Sequence, residues 1–276
     1  MIKIVSKWTD SLDKNFVDDF LLVFTESFGS SIFDRFKLNP DDAERIIIKY
    51  PYLRDEMGGG NYQWFMRKYL MNPYGKSLIT IAYDDAHPVA IDAMWRNDID
   101  GKVSYQTVDT CTLLEYRGRG LFRKITEKEL EILGEDVFIY GFPNKNSYPG
   151  YKKFGWNVAY FKNVLFYSRL LKDIIRRNSL ESLIIDYDYA KWFYYGKKEV
   201  KVICRFGMLL LVADTSISRI KHVLGIVDES TSKLFERGER FSALITSDKR
   251  YRSKRESHPV VFTNCNLSSI EFFRHD

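Results

Sequence analysis

Aromatic and polar positions alternate with a helical period near the start of the chain. In "SLDKNFVDDFLLVFTESFGSS", Phe16, Phe20, Phe24 and Phe28 fall four apart with Asp and Lys opposite, which predicts a helix that turns an aromatic stripe to a core. "YQWFMRKYLMNPYG" predicts a short helix stopped by Pro73 and Gly75. Three strand-like runs follow, "SLITIAYDD", "PVAIDAMWR" and "KVSYQTVDTCTLL", separated by the turn-forming "DDAHP" and "NDIDG". Loops this short join antiparallel neighbours. Beyond residue 120, "LFRKITEKELEILG" is helical in pattern and "DVFIYGF" is a short apolar strand. A strand, a helix and a strand joined by short turns make a right-handed parallel crossover, so the expected sheet is mixed.

From about residue 180 the order partly recurs. "AKWFYYGKKEVKVICRFGMLLLVAD" repeats a Trp-Phe helix, a break and two strands, and "IKHVLGIVD" with "ESTSKLFERG" adds a third strand and a helix. This points to a diverged internal duplication. The expected division is 1–168 and 169–276. The second copy has no counterpart of the glycine and arginine turn between the third strand and the helix, so it is expected to bind no cofactor.

With 276 residues, 45% hydrophobic and 16% aromatic, the chain is long and apolar enough for one large or two small cores. Its net charge of +5 is mild and suits an anionic ligand as well as a weak nucleic-acid surface, so charge does not choose between them; no nucleic-acid partner is expected. Cys111, Cys204 and Cys265 are far apart and form no metal or disulfide pattern, so no metal is expected and a reducing cytoplasm fits. The start "MIKIVSKWTD" lacks a signal-peptide core and "MLLLVA" is too short to span a bilayer, so no membrane partner is expected. The basic stretch "SDKRYRSKRESH" (247–258) reads as a solvated loop.

Candidate chemistry concentrates in "EYRGRGLFRK" (115–124). Gly118 and Gly120 let the backbone approach a ligand and turn N–H groups toward it, and the helix beginning near Gly120 adds the positive end of its dipole. Arg117 and Arg119 can then grip phosphate oxygens. Taken alone, such a turn reads equally well as structural, with solvated arginines. A second cluster, "NKNSYPGYKKFGW", places Asn144, Ser147, Tyr151, Lys153, Gly155 and Trp156 one crossover downstream.

At these residues the chain resembles the GNAT acetyltransferase superfamily over roughly residues 10–168. Arg117, Gly120 and position 122 stand where that family has R-x-x-G-x-G/A, and the downstream stretch keeps every spacing of its N-x-x-A/S-x-x-x-Y-x-K-x-G-F/W segment. Phe122 departs from the family, which usually has Gly or Ala there. The resemblance implies a GNAT fold of mixed α/β (α+β) class: a mostly antiparallel sheet flanked by helices, with a V-shaped strand splay, followed by a smaller partial repeat. It implies acetyl-CoA as acyl donor, its pantetheine on backbone around Thr112, Leu113 and Leu114 and its pyrophosphate on Arg117, Gly118, Arg119, Gly120, Leu121 and Phe122. Asn144 and Ser147 are further expected contacts.

A backbone N–H near Thr112 is expected to stabilise the oxyanion, and Tyr151 to protonate the departing thiolate. Asp109, or Glu26, is the candidate base. Cys111 reads as a small core residue, since no His partners it. The implied activity is N-acetylation of a primary amine of a small molecule, with an amino sugar of polysaccharide synthesis as first candidate. A protein or peptide amine, or acyl-CoA binding without turnover, are the alternatives. The oligomeric state is left open, a homodimer being one possibility.

Overall fold

The computed structural model describes residues 1–29, 61–99, 102–134, 136–167, 184–197, 199–205, 207–214, 220–238, 243–248 and 258–263. The expected boundary at 168/169, Cys265 and all but the ends of the basic stretch 247–258 lie outside these. The chain forms two compact units, Met1–Asn157 with Val261–Cys265, and Val158–Val260 with Asn266–Asp276.

In the first unit, β1 (Ile2–Trp8), β2 (Leu78–Asp84), β3 (His87–Arg96) and β4 (Ser104–Thr112) pair antiparallel in that order. The three predicted runs are thus a meander. Helix α1 (Lys14–Phe28) is capped by Asp13, whose side chain accepts from the Phe16 N–H at 3.0 Å. Its Phe16, Phe20 and Phe24 are buried, and the rings of Phe20 and Phe24 meet Phe65 and Trp64 at 5.2 and 4.7 Å. Those partners lie on α2 (Tyr62–Phe65), which continues into a π-turn (Met66–Leu70) and ends before Pro73. Helix α3 (Leu121–Leu133) lays Leu121 and Ile125 on Ala82, Val89 and Ala90 of the sheet. It leads to β5 (Phe138–Gly141), parallel to β4, and then to α4 (Tyr148–Lys153). The mixed sheet follows from this crossover.

The second unit repeats the plan. Helix α5 (Tyr187–Tyr189) also runs into a π-turn (Ala190–Tyr194), and β7 (Val200–Arg205), β8 (Met208–Asp214) and β9 (Ile220–Val227) form an antiparallel meander. The short α6 (Glu229–Ser232) then leads to β10 (Ala243–Asp248), which is parallel to β9. Both third strands carry a register shift, opposite Ile91/Ala93 in one unit and opposite Leu211/Val212 in the other.

The last strand of each plan is exchanged. β6 (Asn157–Tyr167) follows the first repeat in sequence yet pairs antiparallel with β10, whereas Val261 and Phe262 of β11 (His258–Phe262) pair with Gly141 and Tyr140 of β5. The compact units part at Asn157.

Candidate active site

The site grows from the point where β4 and β5 stop pairing. Their parallel ladder runs from Ser104↔Phe138 to Thr107↔Gly141, while β4 continues beside β3 to Thr112. At the apex the strands approach so closely that a Cβ on Gly141 would lie 2.5 Å from the Thr107 methyl. Just beyond it, Asp109 takes a left-handed φ of 56° and bulges the strand. Residues 108–112 thus present an edge with no β5 partner beside it. Backbone groups alternate in direction along a strand. The Leu113 N–H donates to Val89 O at 2.9 Å on the β3 side, so the Thr112 N–H and carbonyl face the splay, and the Thr112 carbonyl accepts from Arg117 Nε at 3.1 Å.

Below the splay, Gly118 and Gly120 take φ of 79° and 74°, which admits the tight turn into α3. The first intrahelical bond runs from Lys124 N to Gly120 O, leaving the N–H groups of residues 121–123 at the open end of the helix. Arg119 lies over the Tyr116 ring, 4.5 Å from its centroid. Splay and turn open onto one cleft of about 810 Å³, lined among others by Thr110, Thr112, Arg117, Gly118, Gly120, Leu121, Phe122, Asn144 and Ser147. Leu113 and Leu114 do not line it. Leu113 is buried with its N–H on β3, and its carbonyl and that of Leu114 accept from Tyr116 and Arg117 N–H within a 3-10 turn, so the backbone that faces the cleft lies upstream of them.

The Asn144 side-chain oxygen accepts from Asn146 and Ser147 N–H at 2.8 and 3.1 Å and so shapes the turn into α4. Phe122 does not fill the cleft alone. Its ring stands edge-on to Tyr151 (5.1 Å) and to Phe154 (5.8 Å) and lies over Gly150. The Tyr151 ring also packs on Trp156 at 4.8 Å, and its hydroxyl meets Thr107 Oγ1 at the apex of the splay, 2.8 Å away. Tyr151 is 3% exposed, and burial pushes its phenol well above the ordinary range. The hydroxyl therefore keeps its proton throughout the neutral range.

Asp109 is engaged. Its Oδ2 accepts from the Tyr69 hydroxyl and from Lys68 Nζ at 3.1 Å, and that ammonium also lies 5.4–5.6 Å from the rings of Trp64, Tyr69 and Trp95. Glu26 is exposed on α1. The Cys111 thiol points to Val23 O at 3.8 Å, and burial pushes it up to about 12, so it forms no thiolate nucleophile at neutral pH.

A polar stripe that local patterns did not single out crosses this sheet. Ser6 and Thr80 hydroxyls meet at 2.9 Å, and Thr80 pairs across strands with Asp92, which is wholly buried. Asp92 Oδ1 accepts from the Thr110 hydroxyl at 2.6 Å and from Ala93 N–H at 2.9 Å, with Thr107 Oγ1 at 3.3 Å. Above it, α3 places the wholly buried Glu129. Among the described residues neither Glu129 oxygen has a hydrogen-bond partner at full bonding geometry; they face Asp92 and Thr80, and a proton held by Glu129 turns the contact with Asp92 from repulsion into a hydrogen bond. Burial raises both carboxyls, Asp92 to about 6 against the hydrogen bonds that lower it, and Glu129 well above its ordinary value, with the neighbouring Asp92 adding to the rise. Two carboxyls buried side by side resist ionising together, which favours one proton shared between them.

No protein-family model matches the chain, and no curated protein matches its sequence. Its fold does have relatives among solved structures. It is similar to a GCN5-related N-acetyltransferase from Kribbella flavida, with a TM-score of 0.52 and 12% identity over 95% of this chain and 71% of that one. It also resembles a conserved protein of unknown function from Enterococcus faecalis V583, described as a probable N-acyltransferase (TM-score 0.47, 9% identity, 95% and 72% covered). A third is an acyl-CoA N-acyltransferase from Pseudomonas aeruginosa (TM-score 0.37, 13% identity, 58% and 89% covered). The fold is the GNAT fold, a mostly antiparallel mixed sheet flanked by helices.

Proposed function

We propose that the protein is an acyl-CoA-dependent N-acyltransferase that moves an acetyl group from acetyl-CoA to a primary amine of a small molecule. The observation that carries this reading is that the open edge of β4 and the Gly118–Gly120 turn at the N-terminus of α3 face one cleft. A thioester needs an extended edge for its pantetheine arm and an anion cradle for its pyrophosphate. The cleft offers both, the second from orphan N–H groups and Arg117. The GNAT fold, shared with a GCN5-related N-acetyltransferase, supports acyl transfer.

In this reading the Thr112 N–H, turned into the splay, donates to the oxyanion of the tetrahedral intermediate. Tyr151, at the apex, gives its proton to the thiolate as the C–S bond breaks. Asp109, the base expected from sequence, can take the amine proton only by exchanging Lys68. Phe122 lies against Tyr151 and is the cleft's apolar wall. An amino sugar is the acceptor favoured by the sequence resemblance.

Calorimetry with CoA tests the donor site. Arg117→Ala combined with Arg119→Ala is expected to weaken binding by about 1–3 kcal/mol, the range for charged hydrogen bonds lost. Unchanged affinity rejects the site. A panel of amines with acetyl-CoA and a free-thiol readout then tests transfer, and products identified by mass spectrometry separate sugar from peptide acceptors.

A further inference from the structure

The buried carboxyl pair has no task in the scheme above, yet it joins both ends of the chemistry. Thr110 lines the cleft and donates to Asp92 at 2.6 Å, and Thr107, 3.3 Å from Asp92, touches the Tyr151 hydroxyl at 2.8 Å. Two carboxyls in an apolar interior are a standing liability for a fold. Leu121 and Ile125 occupy the equivalent stripe positions on α3 two turns and one turn before Glu129, so an apolar residue there would continue the pattern.

We propose that Asp92, sharing one proton with Glu129, receives the acceptor amine's proton through Thr110 and returns a proton through Thr107 to Tyr151. This rests on the acyl-transfer reading. The acceptor attacks as the neutral amine, and its nitrogen becomes positively charged as the C–N bond forms. The N–H proton passes to Thr110 Oγ1 while the Thr110 hydroxyl proton passes to Asp92 Oδ1. When the C–S bond breaks, its electron pair stays on sulfur. Sulfur takes the Tyr151 proton, Tyr151 takes that of Thr107, and Thr107 takes the one from Asp92. The pair ends, as it began, with one proton, and the net change is amine and thioester to amide and thiol.

The carboxyls never become a buried dianion in this cycle, because the pair gains a proton before it loses one. The relay also gives Tyr151 a means of recovering its proton: with its phenol raised by burial, complete transfer to sulfur is uphill unless a proton follows from behind. The titratable groups that face Asp92 are Glu129 from α3, Tyr151 from α4 and Cys111 from β4. Asp92 and Glu129 are positioning residues, since Asp92 acts through Thr110, which lines the cleft, and through Thr107 and Tyr151.

The test compares the full chain with Asp92→Asn, which keeps an acceptor for Thr110 and Ala93 but cannot take a proton. The variant is expected to lose roughly 10²- to 10⁴-fold in kcat, to keep its CoA affinity in calorimetry, and to lose the part of the acidic limb of its pH–rate profile near pH 6, while the part due to protonation of the acceptor amine remains. Thr110→Ser should retain turnover within several-fold, and Thr110→Val should lose it like Asp92→Asn. Infrared spectra of the unliganded chain at neutral pH should show a protonated-carboxyl stretch that disappears in Glu129→Gln. Absence of that band, a wild-type rate and acidic limb in Asp92→Asn, or equal rates for the Thr110 Ser and Val variants would each overturn the relay while leaving acyl transfer standing. A wild-type chain that binds CoA but acylates no amine rejects the acyl-transfer reading itself, and the relay with it.

Discussion

Gly150 sits inside α4 with a helical backbone, where alanine would ordinarily stabilise by up to about 1 kcal/mol. Here it should not. A Cβ at this position would stand 2.5 Å from Phe122 Cε1, 3.0 Å from Cδ1 and 3.4 Å from Cζ. The ring has little room to give, being held edge-on to Tyr151 and Phe154. Overpacking of this kind costs about 1–3 kcal/mol, so Gly150→Ala should be destabilising by about 1 kcal/mol after the helix gain. In a Phe122→Ala background the obstruction is gone and only the helix gain remains. The same substitution should then stabilise, and the pair should couple by about 1–3 kcal/mol. Equilibrium urea unfolding of the four proteins measures the cycle. If Gly150→Ala has the same sign and size in both backgrounds, the account of how Phe122 is accommodated is wrong.

Two further outcomes follow from the site. The native state holds the Asp92 proton from 3.8 up to about 6 while the unfolded chain has lost it, so stability should fall as pH rises through that window. About two pH units at about 1.4 kcal/mol each give a loss of about 3 kcal/mol, and Asp92→Asn should flatten it in a series of melting curves. Tyr151→Phe keeps the ring between Phe122 and Trp156 and removes the hydroxyl, so CoA affinity should hold while kcat falls roughly 10²- to 10⁴-fold; a wild-type rate would make Tyr151 structural.

The parts of this architecture that were legible in the sequence are those whose signal is local. The stripe of Phe16, Phe20 and Phe24, the meander and the turn at residues 117–122 each occupy one short window, as does the α4 segment around Tyr151. β1 went unread because its seven residues mix apolar and polar positions without clean alternation. The carboxyl pair was illegible for a different reason: Asp92, Thr107, Thr110 and Glu129 meet only after three elements are assembled. Each left a faint mark, Asp92 as the one charge within "VAIDAMW" and Glu129 as the third member of the stripe begun by Leu121 and Ile125. The sequence also could not say which edge of β4 the Leu113 N–H would face, since the bulge at Asp109 resets the alternation.

The exchange of β6 and β11 has a consequence for biosynthesis. β5 needs Val261 and Phe262 as its partners, so the first sheet cannot be completed until those residues, about 120 positions downstream of β5, have left the ribosome. Until then the nascent first half carries an unpaired β5 edge, the kind of template that recruits other chains. β6, by contrast, is made early and waits for β10. Cutting the gene at the apparent repeat boundary would strip one strand from each product, so neither half should yield a well-behaved fragment when expressed alone, whereas co-expression of the two halves offers each its missing edge.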